Sequence, residues 1–378
     1  MVLVLLSFLL VSCSISANQS DQIEEHAVLQ VAVPSRSYGD ALIRLWDRSF
    51  PNQKGAIQIE VKKDSLQQQF VSDIEWVSDC DAIYKKAHAQ NYELENEYPI
   101  ASHLQRKQLE GYFQPIEGKG LIYGYDASQL AGYGLQEDQM DDLATYRKPN
   151  MIFYDHSVDM VLSYWLASYD HERVTMDQVF LDESFLSCIA NMKRFYKEHQ
   201  LEDDPYAHQD MFKEYLSGLV SNEEIISHPL YQSQELHFQA MPQGEDEWYA
   251  PIVDVYGFMV SKQCAYPQAA KAFLDLVRSK EGIQAFLDTT KGIVILKEED
   301  LKDFSIYDAL RKEMILAMNE SVLWDVSTIK DKPSVRYKDL YEKTDMVSIL
   351  QNGIVADKTP KQIQKEIHTH VKEWIRKQ

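Results

Sequence analysis

The stretch that decides the fold lies in the last third of the chain and has three parts: YGFMVSK at 256–262, YPQAAKAFLD at 266–275 and SKEG at 279–282. The first part is a short apolar run, which predicts a buried strand. Pro267 stands at the favoured first position of the helix that follows. The apolar residues of that helix recur at helical spacing, at Ala269, Ala270, Phe273, Leu276 and Val277. Ser279 is placed to cap a second helix, so the segment predicts strand, helix and helix in succession.

The start of the folded body shows the same alternation. Val28–Val33 is apolar and bounded by Pro34, and Ile57–Val61 alternates as a second strand. Between them, apolar residues at helical spacing predict a helix that stops at Pro51. Asp81–Tyr84 is predicted to be a third strand, which completes a parallel α/β sheet. Ligands of such sheets bind outside the carboxyl ends of the strands. This places the loops 35–39 and 84–92 on the functional edge.

The rest of the chain continues as α/β. Strands are predicted at 121–126, 151–154, 238–242 and 251–260, and helices at 158–169, 176–199 and 209–219. A final helix begins at Thr359 and Pro360, where Gln362 completes a capping-box pattern. Its buried stripe is predicted to contain Ile363, Ile367, Val371 and Trp374.

The composition excludes several classes of protein. The chain has 378 residues, of which 45% are hydrophobic and 26% charged, as expected for a globular protein with two domains. Its formal net charge of −21 argues against a nucleic-acid partner, because phosphates would be repelled. Tyrosine is frequent, at 22 residues, and combines a flat apolar face with a polar tip that suits sugar binding.

The N-terminus reads as a targeting segment. Residues 1–11 are almost wholly apolar but too few to span a bilayer, which is typical of a signal peptide. The sequence Leu10-Val11-Ser12-Cys13 resembles a bacterial lipobox, although no Lys or Arg precedes the apolar stretch. We therefore expect a signal peptide at 1–13, lipidation of Cys13 and a polar tether at 14–26. Cys80, Cys188 and Cys264 form no CxxC pair, so neither a zinc site nor a disulfide framework is supported, and buried thiols are expected.

The 256–282 segment resembles the extracellular solute-binding proteins of ABC importers, in the maltose and multiple-sugar branch. That family shows a glycine-containing strand, an x-Pro-x-Ala-Ala-x-x-Phe-Leu helix and a Ser-x-Glu-Gly helix start. The strand and helix at the start of the body, the block at 117–131 and the last helix also fit this family. The region from about 170 to 235 fits only in length and helical character.

The resemblance implies a two-lobed, periplasmic-binding-protein-like (type II) α/β fold with a ligand cleft between the lobes. The N-terminal lobe would comprise 27–116 and 260–314, and the C-terminal lobe 117–256 and 315–378. The lobes would close on a solute by a hinge motion, and the closed form would dock on ABC permease subunits in the membrane. The resemblance also implies a monomer without a cofactor or a metal, which does no chemistry on its solute.

Candidate ligand-binding residues follow from these positions. A sugar stacks its C–H faces on aromatic rings and offers its hydroxyls to planar polar groups. Arg36 and Tyr38 lie after the first predicted strand, Tyr84 and His88 after the third, and Asp155 and His156 after the strand at 151–154. Glu117 matches an acidic cleft residue of the family, and Tyr256 lies on its hinge strand. Trp248 and Trp324 are candidate platforms, whereas Trp46, Trp165 and Trp374 are expected to pack in cores.

Two other kinds of function stay open. The sequence has no GxSxG, HExxH or Walker A motif, so we expect no enzyme, although its many carboxylates leave a glycosidase pair conceivable. The same fold could bind a polyamine or iron, which the negative charge and the tyrosines would suit. It could also serve as a surface sensor or adhesin.

The lipobox predicts that Cys13 carries the membrane anchor. When the full chain is expressed in a bacterium that processes lipoproteins, the wild type is expected in the membrane fraction and Cys13→Ser in the soluble fraction, because the acyl chains supply the attachment. Cys264→Ser is the matched control and should stay with the membranes. Recovery of Cys13→Ser in the membrane fraction would contradict the prediction.

Overall fold

The structure is a computed structural model that describes residues 23–62, 69–92, 101–142, 152–153, 165, 174–198, 216–227, 231, 235–241 and 251–378. The chain divides into two compact units. Unit 1 contains the described residues up to Gly118 together with Asp254–Tyr307, and unit 2 contains Lys119–Val253 and Asp308–Gln378. The chain therefore passes from one unit to the other three times, after Gly118, after Val253 and after Tyr307.

Unit 1 consists of a sheet and the helices that cover it. Its strands are β1 (Leu29–Val33), β2 (Ile57–Val61), β3 (Ile74–Ser78), the first part of β4 (Phe113–Asp126), most of β8 (Ile252–Val260) and β9 (Ile293–Val294). Its helices are α1 (Arg36–Ser49), α2 (Asp79–Lys85), α6 (Pro267–Arg278), α7 (Lys280–Thr289) and α8 (Glu298–Leu301).

The sheet of unit 1 is mixed. Strand β1 pairs in parallel with β2, Leu29 opposite Ile57, and with β3, Val31 opposite Ile74. Strand β3 pairs antiparallel with β8, from Ile74 opposite Val260 to Ser78 opposite Tyr256. The carboxyl ends of β1 and β3 thus share one edge, as expected for an α/β sheet.

The predicted third strand at Asp81–Tyr84 is wrong, because those residues lie in α2. The third strand is Ile74–Ser78, which is buried along its whole length. The hydroxyl of Ser78 accepts a hydrogen bond from Asp81 N and so starts α2 directly after the strand.

The two helices predicted from the 256–282 segment are confirmed. Helix α6 begins at Pro267, and the hydroxyl of Ser279 accepts from Gly282 N at the start of α7. The N-cap residue of α6, Tyr266, makes no side-chain capping bond. The carboxylate of Glu24 caps α6 instead, accepting from Gln268 N and Ala269 N at 2.8 Å each. The start of the described chain is thereby attached to unit 1.

Aromatic side chains fill the core of unit 1. The ring of Tyr38 meets the ring of Phe286 edge to face at 5.2 Å between centroids, and Trp76 meets Phe258 in the same way at 5.0 Å. Trp46 is fully buried, as predicted, and packs on Phe50. Cys80 is buried as expected, and so is Cys188 in unit 2, whereas Cys264 is half-buried.

Unit 2 contains more helix. Its strands are the second part of β4, β5 (Ile152–Phe153), β6 (Ser217–Ser221), β7 (Leu236–Gln239), the first two residues of β8, β10 (Val322–Leu323), β11 (Thr328–Ile329) and β12 (Lys332–Arg336). Its helices are α3 (Leu130–Tyr133), α4 (Glu183–Glu198), α5 (Asn222–Ser227), α9 (Ala309–Met318), α10 (Tyr337–Lys343), α11 (Met346–Val355) and α12 (Pro360–Lys377).

Strand β4 organises the sheet of unit 2. It pairs antiparallel with β6 and β7, and β5 pairs in parallel with β6. The predicted helix at 209–219 is wrong in its described part, because Ser217–Ser221 is strand β6. The helix predicted at 176–199 begins later, at Glu183. The helix predicted at 158–169 lies outside the described residues except for Trp165.

The core of unit 2 confirms two predictions about packing. Trp165 is buried against Phe180, Phe185 and Tyr337. The capping box of α12 is present, and Ile363, Ile367 and Val371 are fully buried, whereas Trp374 is only partly buried against the core. Among the described helices, none combines the length and the apolar character that crossing a bilayer requires.

Gly257 on β8 predicts a large cost of substitution. A Cβ at this position would lie 1.9 Å from the carbonyl oxygen of Gln114 on β4, so Gly257→Ala forces the two backbones apart. We expect a loss of about 3 kcal/mol of unfolding free energy, measured by urea denaturation. Gly132→Ala is the control, since no atom lies within 4 Å of its Cβ position, and it should be neutral or stabilising by about 0.5 kcal/mol. Equal stabilities of the two variants would contradict the prediction.

Candidate functional site

The carboxyl edge of the unit 1 sheet is built by two strand-to-helix turns. After β1, the hydroxyl of Ser35 accepts from Tyr38 N and caps α1. The hydroxyl of Ser37 donates to the carbonyl of Thr289 at 2.9 Å and so joins the start of α1 to the end of α7. After β3, Ser78 caps α2. Arg36 is the first residue of α1 on this edge, and its exposed side chain forms a surface ion pair with Asp40 at 2.9 Å. Such a pair stabilises little, so the guanidinium can turn toward a ligand.

Tyr38 does not face solvent, contrary to its prediction as a ligand-binding residue. Its relative exposure is 0%, because this position of α1 faces the sheet and the ring enters the aromatic core. Its hydroxyl has no hydrogen-bond partner among the described residues. Burial raises the pKa of Tyr38 well above its usual range, and the nearby charge of Glu117 raises it further.

Tyr84 and His88 lie away from the carboxyl edge. They were predicted to lie at that edge because Asp81–Tyr84 was predicted to be a strand. Those residues belong to α2, which leads the chain back toward the start of β3. The carbonyl of His88 accepts a hydrogen bond from Lys262 N, and Ala89 forms a β-bridge with Ser261. Ser261 directly follows Val260, which lies opposite Ile74. Because Ile74 begins β3, His88 is near the amino end of that strand. The structure therefore gives neither residue the position from which its ligand role was inferred.

Glu117 is a buried acid on β4, paired with Val294 of β9. Its carboxylate rests against the backbone of Gly292, where a Cβ would lie 2.1 Å from the nearer oxygen. A side chain at position 292 would displace either the carboxylate of Glu117 or the ring of Phe286, which a Cβ would approach to 2.6 Å.

Tyr256 belongs to the half-exposed face of β8. It lies opposite Ser78, the last residue of β3, and therefore at the carboxyl edge. Asp254 is two residues earlier on the same strand, so its side chain points to the same face. Both residues are half-buried while their strand neighbours are buried, which leaves a ring and a carboxylate side by side.

A buried polar network lies directly behind that face. Arg106 forms an ion pair with Asp79, and the second oxygen of Asp79 accepts from Val255 N at 3.1 Å. The thiol of Cys80 lies 3.4 Å from an oxygen of Asp254. Asp79, Cys80 and Asp254 offer atoms close enough to hold a metal ion, but the guanidinium of Arg106 already supplies the positive charge. Burial raises the pKa of Asp79 despite Arg106, which acts in the opposite direction.

No local sequence pattern predicts this network, because its members are distant in the chain. Asp79 and Asp81 resemble ordinary acidic residues in the first turn of a helix, which the helix dipole favours. The one local signal is Ser78, because a serine at a helix N-cap predicts that the strand ends there and that Asp79 begins the helix.

Trp324 is the candidate of unit 2 that the structure describes. It follows β10 and is half-buried, with its ring 4.8 Å from the ring of Tyr341 and the ammonium of Lys338 over it at 5.4 Å. Part of the indole is therefore already occupied by packing. Asp155, His156, Trp248 and the lipidation residue Cys13 lie outside the described residues.

The buried hydroxyl of Tyr38 predicts a pH-dependent stability. Tyr38→Phe removes an unpaired buried polar atom and should raise the unfolding free energy by about 1 kcal/mol at neutral pH. Because the folded state raises the pKa of this phenol, the wild type should lose stability as the pH rises above about 10, where the unfolded phenol ionises. Urea denaturation measured from pH 7 to 11 should show that the difference in unfolding free energy between wild type and Tyr38→Phe grows as the pH rises. Tyr307→Phe, at a residue that is 94% exposed, should show no such difference; parallel curves for Tyr38→Phe would contradict the prediction.

Comparison with known proteins bears on the fold. No protein-family model matches this chain, and no curated protein sequence does. Solved structures do match along nearly the whole chain. A maltodextrin-binding protein from L. casei BL23 superposes with a TM-score of 0.67 at 11% identity, covering 92% of this chain and 99% of that one.

Two further structures give the same result. An extracellular solute-binding protein from Staphylococcus aureus, in complex with maltose, has a TM-score of 0.69 at 12% identity and covers 92% of this chain and 97% of its own. A cyclic α-maltosyl-1,6-maltose-binding protein from Arthrobacter globiformis has a TM-score of 0.64 at 12% identity, with 93% and 99% covered. The chain therefore has the two-lobed, periplasmic-binding-protein-like α/β fold that the sequence predicted.

Proposed function

We propose that this protein is the substrate-binding subunit of an ABC importer, which captures a sugar or oligosaccharide by hinge closure and delivers it to permease subunits in the membrane. The observation that carries the proposal is the extent of the structural likeness. Proteins named for binding maltose, maltodextrin or a cyclic maltosyl sugar match at least 92% of this chain and 97% of their own. A likeness over both units favours a shared mode of action, since a shared single domain could serve many functions.

The proposed sugar-binding residues are those that keep exposed or half-exposed polar and aromatic groups. On unit 1, Tyr256 offers a ring beside the carboxylate of Asp254, and Arg36 offers a mobile guanidinium on the same edge. Glu117 is added because it matches an acidic cleft residue of the family that the sequence resembles. On unit 2 we propose Trp324, and from the sequence alone Asp155, His156 and Trp248. An aromatic ring next to a carboxylate meets both needs of a sugar, stacking and hydrogen bonding.

We further propose an extracytoplasmic location with a lipid anchor at Cys13, on the lipobox alone. No cofactor and no chemical step belong to this function. Two alternatives keep the fold: a polyamine or iron as the solute, which the net charge of −21 would favour, and a surface sensor or adhesin that binds without transport.

Sugar binding predicts a ligand-dependent rise in melting temperature. A soluble chain starting near Asn18 is heated with maltose, maltotetraose, other mono- and oligosaccharides, spermidine or ferric citrate. A ligand present at 100 times its dissociation constant should add about 2.7 kcal/mol of stability. A shift with saccharides alone supports the proposal. A shift with spermidine or iron alone overturns the sugar assignment, and no shift with any compound favours the sensor or adhesin.

The affinity for a saccharide that raises the melting temperature tests the proposed sugar-binding residues. Tyr256→Ala should weaken the affinity for the active saccharide, measured by calorimetry, by about tenfold or more, because a stacked ring contributes on the order of 1.5 kcal/mol. Tyr307→Ala is the control in the same unit and should bind as the wild type does. Unchanged affinity in Tyr256→Ala would remove Tyr256 from the site.

A further inference from the structure

Strand β8 is paired along two separate stretches. In unit 2, Ile252 and Val253 pair with Val322 and Leu323 of β10. In unit 1, the pairing with β3 begins at Tyr256, opposite Ser78. Asp254 and Val255 lie between the two stretches and pair with neither β10 nor β3, while β4 neighbours β8 on its other side. The division between the units falls at the start of this interval, between Val253 and Asp254.

Side chains of α2, and not β3 or β10, contact Asp254 and Val255 on this side of the strand. Strand β3 ends at Ser78, and the chain turns into α2, so no backbone carbonyl of β3 continues the ladder to Val255. The carboxylate of Asp79 takes that place and accepts from Val255 N at 3.1 Å. The next residue, Cys80, reaches the carboxylate of Asp254 at 3.4 Å. Consecutive residues of α2 thus engage both residues of the interval.

Arg106 fixes Asp79 in this role. Their side chains are 10% and 2% exposed, so both charges are almost completely removed from water. The guanidinium also lies 3.7 Å from the sulfur of Cys80 and therefore touches both residues that engage the interval. Loss of one partner from a buried ion pair leaves the other charge uncompensated, so Asp79 would not keep its position without Arg106. Arg106 lies between two short 3₁₀ turns, Ser102–Leu104 and Lys107–Leu109. It is therefore distant from Tyr256 along the sequence.

We infer that Asp79 and Arg106 are positioning residues that brace the interval Asp254–Val255, one of the three places where the chain passes between the units. They hold the backbone of the interval on its β3 side, without touching a solute. The link to solute affinity rests on the proposed function, whereas the bracing itself does not. The brace also orients Asp254 and, through Val255, the neighbouring Tyr256.

Hydrogen exchange followed by mass spectrometry on the whole chain, without ligand, tests the brace. Arg106→Gln should raise the exchange rate of the Val255 amide by about tenfold or more, because Asp79 is then no longer held against it. The matched control is Lys85→Gln, which breaks the buried pair of Lys85 with Glu75 at the other end of α2 and touches neither Asp254 nor Val255. The control should leave the exchange at Val255 unchanged within about threefold.

A conservative variant covers the case in which Arg106→Gln does not fold. Arg106→Lys keeps the charge but loses the forked geometry of the guanidinium, so it should give a smaller rise at Val255. Unchanged exchange at Val255 in the folded Arg106 variants, or an equal rise in Lys85→Gln, would overturn the brace.

Affinity for maltose provides the second readout. Arg106→Gln should weaken it by about tenfold or more, with Lys85→Gln within about threefold of the wild type. If exchange rises at Val255 while maltose affinity stays the same, the brace stands and its role in binding is refuted. If the wild type binds neither maltose nor any other saccharide of the thermal panel, the sugar assignment fails, and the exchange comparison still decides the brace.

Discussion

The close approach of strands β4 and β8 is the constraint on which the rest of the structure depends. These two long strands each continue from one unit into the other, and glycine is required where their backbones meet. Within unit 1, a Cβ on Gly257 would overlap the carbonyl of Gln114, and within unit 2 a Cβ on Gly120 would lie 2.3 Å from the carbonyl of Ile252. Each unit therefore contains a place where the backbones of β4 and β8 pack directly against each other. The helices α6 and α7 follow β8 directly, so their placement on the sheet of unit 1 depends on it.

Charge is used differently on the surface and in the interior. The net charge is −21, and most carboxylates of the described residues are at least partly exposed, where they are hydrated and contribute little to the fold. Two ion pairs of unit 1, Lys85 with Glu75 and Arg106 with Asp79, are instead buried. Buried pairs are poor stabilisers compared with apolar packing, but they are demanding about geometry. Both pairs attach to β3 or to the helix that follows it, so they fix the strand that ends beside Tyr256 and Asp254.

This arrangement separates two tasks within unit 1. The half-exposed face of β8 presents a ring and a carboxylate, the groups that a sugar would use. The ion pair of Asp79 and Arg106 behind it is almost completely removed from water and supports the backbone that carries those groups. Tyr38 lies in the aromatic core and presents no group to a solute. Such rigidity would suit the proposed function, since residues that are already in place lose less entropy when a ligand binds.

The sequence by itself determined what local patterns encode. Pro267, Ser279 and the capping box at Thr359 and Gln362 fixed the starts of α6, α7 and α12, because caps act within one helical turn. The glycine-containing strand and the order of elements were enough to predict the fold class. The third strand was missed because Glu75 interrupts its apolar pattern. That charge is tolerated in the interior because Lys85 pairs with it and the amides of Val71 and Ser72 donate to it.

The tertiary structure alone decided which face each residue occupies. It buried Tyr38, moved Tyr84 and His88 away from the carboxyl edge, and brought Asp79, Arg106 and Asp254 together. The physical reason is that burial and charge pairing join residues that are far apart in the chain, as Asp79 and Val255 are. No local pattern records such contacts.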